Sequence, residues 1–159
     1  MNNPRETHKL KKLVLHIGTH KTGTTSFQNS LEKNAKTLIS HGVRPIRGPL
    51  FQNGKRLSGK RNNHVHFAHL LLRPEVRSGA RIRGNVPTLS NEQRQRQLDN
   101  LAQRLSDFEE ETLLLSAEGL CFLRSVEEQA LLCRFLKDFG RDVRALVVFR
   151  NEADWRASW

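Results

Sequence analysis

The sequence predicts an α/β fold, a doubly wound parallel sheet flanked by helices. Two observations predict it. Apolar runs of strand length alternate along the chain with longer stretches whose apolar residues recur at helical spacing. The first of these runs passes through a glycine-flanked turn straight into a helical pattern. Alternating strands and helices build a parallel sheet with helices packed on it. At 159 residues the chain is one domain long.

The elements follow in order. Residues 1–12 are polar and basic and read as a disordered lead-in to a domain over 13–159. Leu13, Val14, Leu15, His16 and Ile17 have the length and branching of a buried strand. A helix is predicted over 24–40, with Phe27, Leu31, Ala35, Leu38 and Ile39 on one stripe and Gly42 as its stop. Residues 43–46 read as a short strand that Pro45 confines to an edge or a strand start. Residues 47–63 carry three glycines and five basic residues and read as a long loop. Residues 64–73 form a short apolar helix stopped by Pro74, and 75–89 are polar loop. Ser90 with Gln93 gives a capping box for a helix bearing Leu98, Leu101, Ala102, Leu105 and Phe108 on one face. Thr112–Ser116 is the third strand. Ser125 caps the next helix, where Glu127 and Glu128 favour the dipole and Leu131, Leu132, Phe135, Leu136 and Phe139 form the stripe. Residues 143–149 are the fourth strand, and a further helix starts near Ala153. In such sheets ligands bind outside the carboxyl ends of the strands. That places the turn after Gly18, the residues after Ile46, Glu118 and Arg150 on one rim.

The net charge is +11, from 27 Lys and Arg against 16 Asp and Glu. It fits an anionic partner without choosing among nucleotide, nucleic acid, sulfated polymer and membrane surface. Residues 44–83 hold ten basic residues and one acid, Glu75. That stretch has only Phe51 and Phe67 as aromatics and no nucleic-acid motif, so nucleic acid ranks low as a partner. Cys121 and Cys133 match no zinc or redox spacing and read as buried free thiols. His64, His66 and His69 are poor metal ligands, since 64 and 66 point apart on a helix and no carboxylate completes a set. No metal is expected. The lead-in lacks the apolar core of a signal peptide, and no run approaches the ~20 residues that span a bilayer. The expectation is a cytoplasmic protein without a membrane span.

The chemistry concentrates in Gly18-Thr19-His20-Lys21-Thr22-Gly23-Thr24-Thr25-Ser26. Strand, glycine-flanked turn and helix start bring backbone N–H groups around a phosphate. Lys21 adds a cation, and Thr24 and Thr25 add hydroxyls. The spacing G-x-x-x-x-G matches the nucleotide-binding P-loop, but there Lys follows the second glycine directly, whereas here Thr24 does. A P-loop NTPase or kinase would also need Mg²⁺ and an Asp ending a buried strand, and Thr112–Ser116 ends without one.

The string His-Ile-Gly-Thr-His-Lys-Thr-Gly-Thr-Thr-Ser instead resembles the 5′-phosphosulfate loop of bacterial sulfotransferases that use 3′-phosphoadenylyl sulfate (PAPS). Arg150 and Ser158, eight residues apart, resemble that family's 3′-phosphate site, where a guanidinium forks onto phosphate oxygens and a helix hydroxyl adds a donor. The resemblance covers residues 13–42, about 112–120 and 143–159. It implies a P-loop-like sheet with PAPS as co-substrate and no required metal. It implies that Lys21 stabilises the bridging oxygen as the S–O bond breaks, and that Thr22, Gly23, Thr24, Thr25 and Ser26 hold the 5′ end. The general base it implies is Glu118, at the position of the family's histidine after the third strand, with His64 as the rival. The acceptor, a small molecule or saccharide, is not identified by residues 47–90. Family members extend well past this point, so the resemblance also implies a truncated, N-terminal part of the fold. The remaining alternative is a non-catalytic module that binds anions or nucleic acid.

Overall fold

The computed structural model describes residues 11–18, 23–47, 64–84, 86–139 and 142–149, together with 151, 153, 156 and 157. Four strands, β1 (Lys12–Gly18), β2 (Val43–Pro45), β3 (Thr112–Ser116) and β4 (Asp142–Val148), form one sheet in the order β2-β3-β1-β4. Every pairing is parallel. Six helices complete the described chain: α1 (Thr24–Lys33), α2 (Ala35–Ser40), α3 (Val65–Leu71), α4 (Gly79–Ile82), α5 (Asn91–Ser106) and α6 (Val126–Phe139), plus a 3₁₀ turn at Glu118–Phe122. No described helix is long and apolar enough to cross a membrane.

The core follows from register. Leu13 stands beside Leu113 and Leu15 beside Leu115, so the same parity of both strands faces one way. Those four leucines pack with Phe67, Leu71, Leu98, Leu101, Leu105 and Phe135 from α3, α5 and α6. The opposite parity, with His16 beside Ser116, faces α1 through Phe27 and Gln28. Gly119 lets α3 approach, since a Cβ there would lie 2.8 Å from the Ala68 Cβ.

Several expectations change. The predicted single helix over 24–40 is two, because the Asn34 side chain donates to the Ser30 carbonyl (2.9 Å) and hydroxyl (3.3 Å), competing with the helical ladder. The 75–89 stretch contains α4, capped by Ser78 accepting from the Arg81 N–H. β1 takes in Lys12, and β2 is an edge strand, as Pro45 requires. Cys133 is exposed and Cys121 half-buried, because Cys133 lies off the α6 stripe that buries Glu128, Phe135 and Phe139. β4 is the other edge strand of the described sheet, and its apolar Leu146 and Val147, with Phe149 just after it, are exposed. Of the loop predicted over 47–63, residues 48–63 lie outside the described residues, as do residues 1–10 of the predicted lead-in.

The basic stretch is partly structural. Arg44 pairs with Glu110, Arg47 with Glu32 and Arg73 with the buried Glu128. Arg81 donates to five carbonyls at the end of α3 and in the turn after it, those of His69, Leu72, Arg73, Pro74 and Val76. Arg94 donates to Leu70 and Leu71. Helix C-termini leave such carbonyls without intrahelical partners and favour cations.

Candidate functional site

The crevice is set by topology. From β1 the chain crosses past β3 to reach β2, and from β3 it crosses past β1 to reach β4. Right-handed crossovers running in opposite directions lie on opposite faces of the sheet. The carboxyl ends of β1 and β3 therefore flank the point where the connections part, which is where open α/β sheets take ligands. Gly18, Ile46, Ala117 and Phe149 all leave the sheet at this rim, as expected from the sequence.

On the α1 side, Gly18 ends β1 directly beneath Thr24, the first residue of α1. A Cβ at Gly18 would stand 2.5 Å from the Thr24 Oγ1 and 3.0 Å from its Cγ2, so a larger residue must displace the Thr24 side chain. Gly23 is left-handed at φ 81°, a conformation that costs other residues energy. The N-cap of α1, Gly23, has no side chain to cap it, and the ladder begins with Phe27 N–H donating to the Gly23 carbonyl (3.0 Å). The N–H groups of Thr24, Thr25 and Ser26 thus lie outside the ladder of α1, at the positive end of its dipole. Thr24 is buried, while Thr25 and Ser26 are exposed. Lys21 and Thr22 of this turn, and Arg150 and Ser158, lie outside the described residues.

On the β3 side, the Ala117 N–H donates to the His16 carbonyl (2.9 Å), and Glu118 then opens the 3₁₀ turn, half-buried on the rim. His64 precedes α3. Its N–H donates to the Ser116 carbonyl (2.9 Å), and its Nε2 lies 3.0 Å from the Ile46 carbonyl. A carbonyl only accepts, so the His64 proton is on Nε2 and Nδ1 keeps its lone pair. Burial pushes the imidazole down to about 4, outweighing the Ile46 bond that favours the charged form. His64 therefore clamps the ends of β2 and β3 together and is neutral at pH 7.

Between the two sides lies a buried polar layer that the sequence reading did not assemble. His16 Nδ1 is 2.8 Å from the Ser116 Oγ, and the Gln28 Nε2 donates to the same oxygen at 3.1 Å. The His16 ring packs against Phe27 with centroids 4.3 Å apart. All three polar residues are buried, His16 completely. The signal for this layer was three polar residues at inward positions: His16 in an apolar run, Ser116 ending three leucines, and Gln28 in the first turns of a helix.

Comparison with known protein families, characterised proteins and solved structures finds no match for the chain. Among the described residues no cluster of His, Cys, Asp and Glu has the makings of a metal site.

Proposed function

We propose that the chain binds PAPS and transfers its sulfuryl group to a hydroxyl or amine acceptor, using a P-loop-like sheet. The observation that carries this reading is the junction of β1 with α1. There Gly18 lies close under the Thr24 side chain and a left-handed glycine, Gly23, is the N-cap of α1 at the switch-point crevice, in a stretch whose sequence is Lys-Thr-Gly-Thr-Thr-Ser. Each feature suits an anion held by backbone donors.

In this scheme the acceptor oxygen or nitrogen attacks sulfur in line, and the bond from sulfur to the 5′-phosphate oxygen breaks. Negative charge grows on that oxygen, where Lys21 and the α1 dipole stabilise it. The leaving group is adenosine 3′,5′-bisphosphate, whose 3′-phosphate falls to Arg150 and Ser158. The acceptor's proton goes to a base on the β3 side of the crevice. Glu118 is the better candidate, since His64 is a weak base when burial holds it near 4. Lys21, Arg150 and Ser158 enter by resemblance in sequence. Thr24 in place of a P-loop lysine disfavours an Mg²⁺-dependent NTPase.

Isothermal titration with adenosine 3′,5′-bisphosphate tests the reading. Micromolar binding that Lys21→Ala and Arg150→Ala each abolish is the expected result. Absence of heat from a wild-type chain that circular dichroism shows to be folded would sink it.

A further inference from the structure

A serine and a histidine meet between α3 and α4, apart from the switch-point crevice. The Ser78 Oγ is 2.5 Å from the His69 Nε2. His69 is buried in α3, and Ser78 is half-buried at the start of α4. The other imidazole nitrogen decides which of the two gives the proton. His69 Nδ1 lies 2.7 Å from the Val65 carbonyl. A carbonyl only accepts, so Nδ1 carries the hydrogen. Burial holds the ring below its ordinary value, outweighing the Val65 bond, and Arg81 and His66 push the same way as burial. The ring is therefore neutral at pH 7, with a lone pair on Nε2, and the Ser78 hydroxyl donates to it. The serine oxygen also accepts from the Arg81 N–H (3.2 Å), which leaves it a second lone pair.

Hydroxyl on base, and base oriented by a third group, is the arrangement of an activated nucleophile. The two nearby arginines differ. Arg81 is spent on five carbonyls around the end of α3, and those bonds hold α4, and with it Ser78, in place. Arg83 is exposed and lays its guanidinium on the residue after the serine. A Cβ built on Gly79 would stand 3.1 Å from the Arg83 Nη1 and 3.4 Å from its Nη2. A single cation beside a hydroxyl nucleophile suits the single oxyanion that forms when the hydroxyl adds to a carbonyl.

We propose that Ser78 and His69 form a second reactive site, which takes the acyl group of an activated ester. The Ser78 Oγ attacks the carbonyl carbon, and its proton passes to the His69 Nε2. The carbonyl oxygen becomes an oxyanion beside Arg83. The bond from carbon to the leaving oxygen then breaks, and the alcohol departs with the proton from Nε2. Water attacks the acyl-serine by the same path and releases the acid. This activity stands apart from the PAPS reading and shares no residue with it.

A fluorophosphonate probe on the whole chain tests the site. The Oγ–P bond forms, fluoride leaves, and the stable adduct is mapped by mass spectrometry. The expected result is a phosphonyl group on Ser78. Ser78→Asn keeps a cap acceptor for the Arg81 N–H but no nucleophile, and should carry no adduct there. His69→Asn keeps a donor near Nδ1 for the Val65 carbonyl but no base, and should be labelled about a hundredfold more slowly. Arg83→Gln should slow labelling about tenfold without moving the melting point. Wild type should also hydrolyse p-nitrophenyl acetate faster than Ser78→Asn does. A folded wild type without an adduct on Ser78 would overturn the proposal, as would equal labelling rates for wild type and His69→Asn. Neither result touches the nucleotide site.

Discussion

Glu128 offers the sharpest test of how the helical layer is held. Its carboxylate is 3% exposed and accepts four hydrogen bonds: from the Arg73 N–H (2.8 Å) on Oε1, and from Arg73 Nη1 (3.0 Å), the Arg124 N–H (2.8 Å) and the Ser125 N–H (2.9 Å) on Oε2. The Ser125 hydroxyl returns a bond from the Glu128 N–H (3.1 Å), completing a capping box at the start of α6. One side chain thus ties the end of α3 to the start of α6. Glu128→Ala strands three backbone donors and a guanidinium, and removing one partner of a buried charged cluster costs about 3–5 kcal/mol. Arg73 is 44% exposed, so the lower half of that range applies. Glu128→Gln keeps one acceptor oxygen, which can still serve the three donors on the Oε2 side, and should cost about 2 kcal/mol. At a few degrees per kcal/mol for a chain this size, these are melting shifts of roughly 10 °C and 5 °C. Although burial opposes it, the backbone and Arg73 bonds together hold the carboxyl below its ordinary 4.5. The unfolded chain therefore takes up the proton first on acidification. The Glu128 contribution is complete above about 4.5 and is lost as the pH falls toward the lower folded value. Urea denaturation of wild type and Glu128→Gln at pH 7 and in steps below pH 4.5 reads the gap. A gap that stays constant down to pH 3 would refute the charged-cap account.

Three further outcomes follow from the same geometry. His64 is neutral when folded, so wild type should lose about 3 kcal/mol between its ordinary 6.5 and about 4 as the unfolded imidazole takes up a proton. His64→Gln, which keeps a donor for the Ile46 carbonyl, should flatten that part of the stability curve, and an unchanged slope by denaturant titration would count against the buried tautomer. Gly119→Ala drives a methyl to 2.8 Å from the Ala68 Cβ and should cost about 1–3 kcal/mol by thermal melting, with the Gly119→Ala, Ala68→Gly pair recovering most of it. Gly23→Ala meets no neighbouring atom and should cost only about 1–2 kcal/mol for its left-handed backbone, whereas Gly18→Ala collides with Thr24 and should disturb the helix start and nucleotide binding more than its melting point suggests. Equal effects of the two on binding would contradict the close approach at Gly18.

Much of this was legible because periodicity and punctuation agree in this chain. The four strands, the capping box at Ser90 and the helix after Ser125 each carry a local signal, and the structure places them within a residue or two. The parity that sets Leu13 and Leu15 beside Leu113 and Leu115 is not signalled, since Val14 and Leu114 between them are apolar too and the runs name no face. What was not legible depends on partners far along the chain. The break at Asn34 is a contest between one side chain and the helical ladder, which composition does not settle. The structural duty of Arg81 needs five carbonyls brought together by α3 and its turn, so in sequence it reads only as charge. The His16, Ser116 and Gln28 layer joins residues up to 100 positions apart, and each taken singly looks like an ordinary polar residue. The exposure of β4 and Cys133 likewise depends on which faces the helices cover.

The central claim is a nucleotide site that reads both a 5′ and a 3′ phosphate. The measurement that tests it most directly is side-by-side calorimetry of the folded wild-type chain with adenosine 3′,5′-bisphosphate, adenosine 5′-monophosphate and Mg²⁺–ATP. The 3′-phosphate is assigned a forked guanidinium and a hydroxyl, about 3 kcal/mol of charge-assisted bonding, so the bisphosphate should bind about a hundredfold more tightly than the monophosphate. Tighter binding of Mg²⁺–ATP, or equal affinity for the two adenosine phosphates, would contradict a sulfotransferase site.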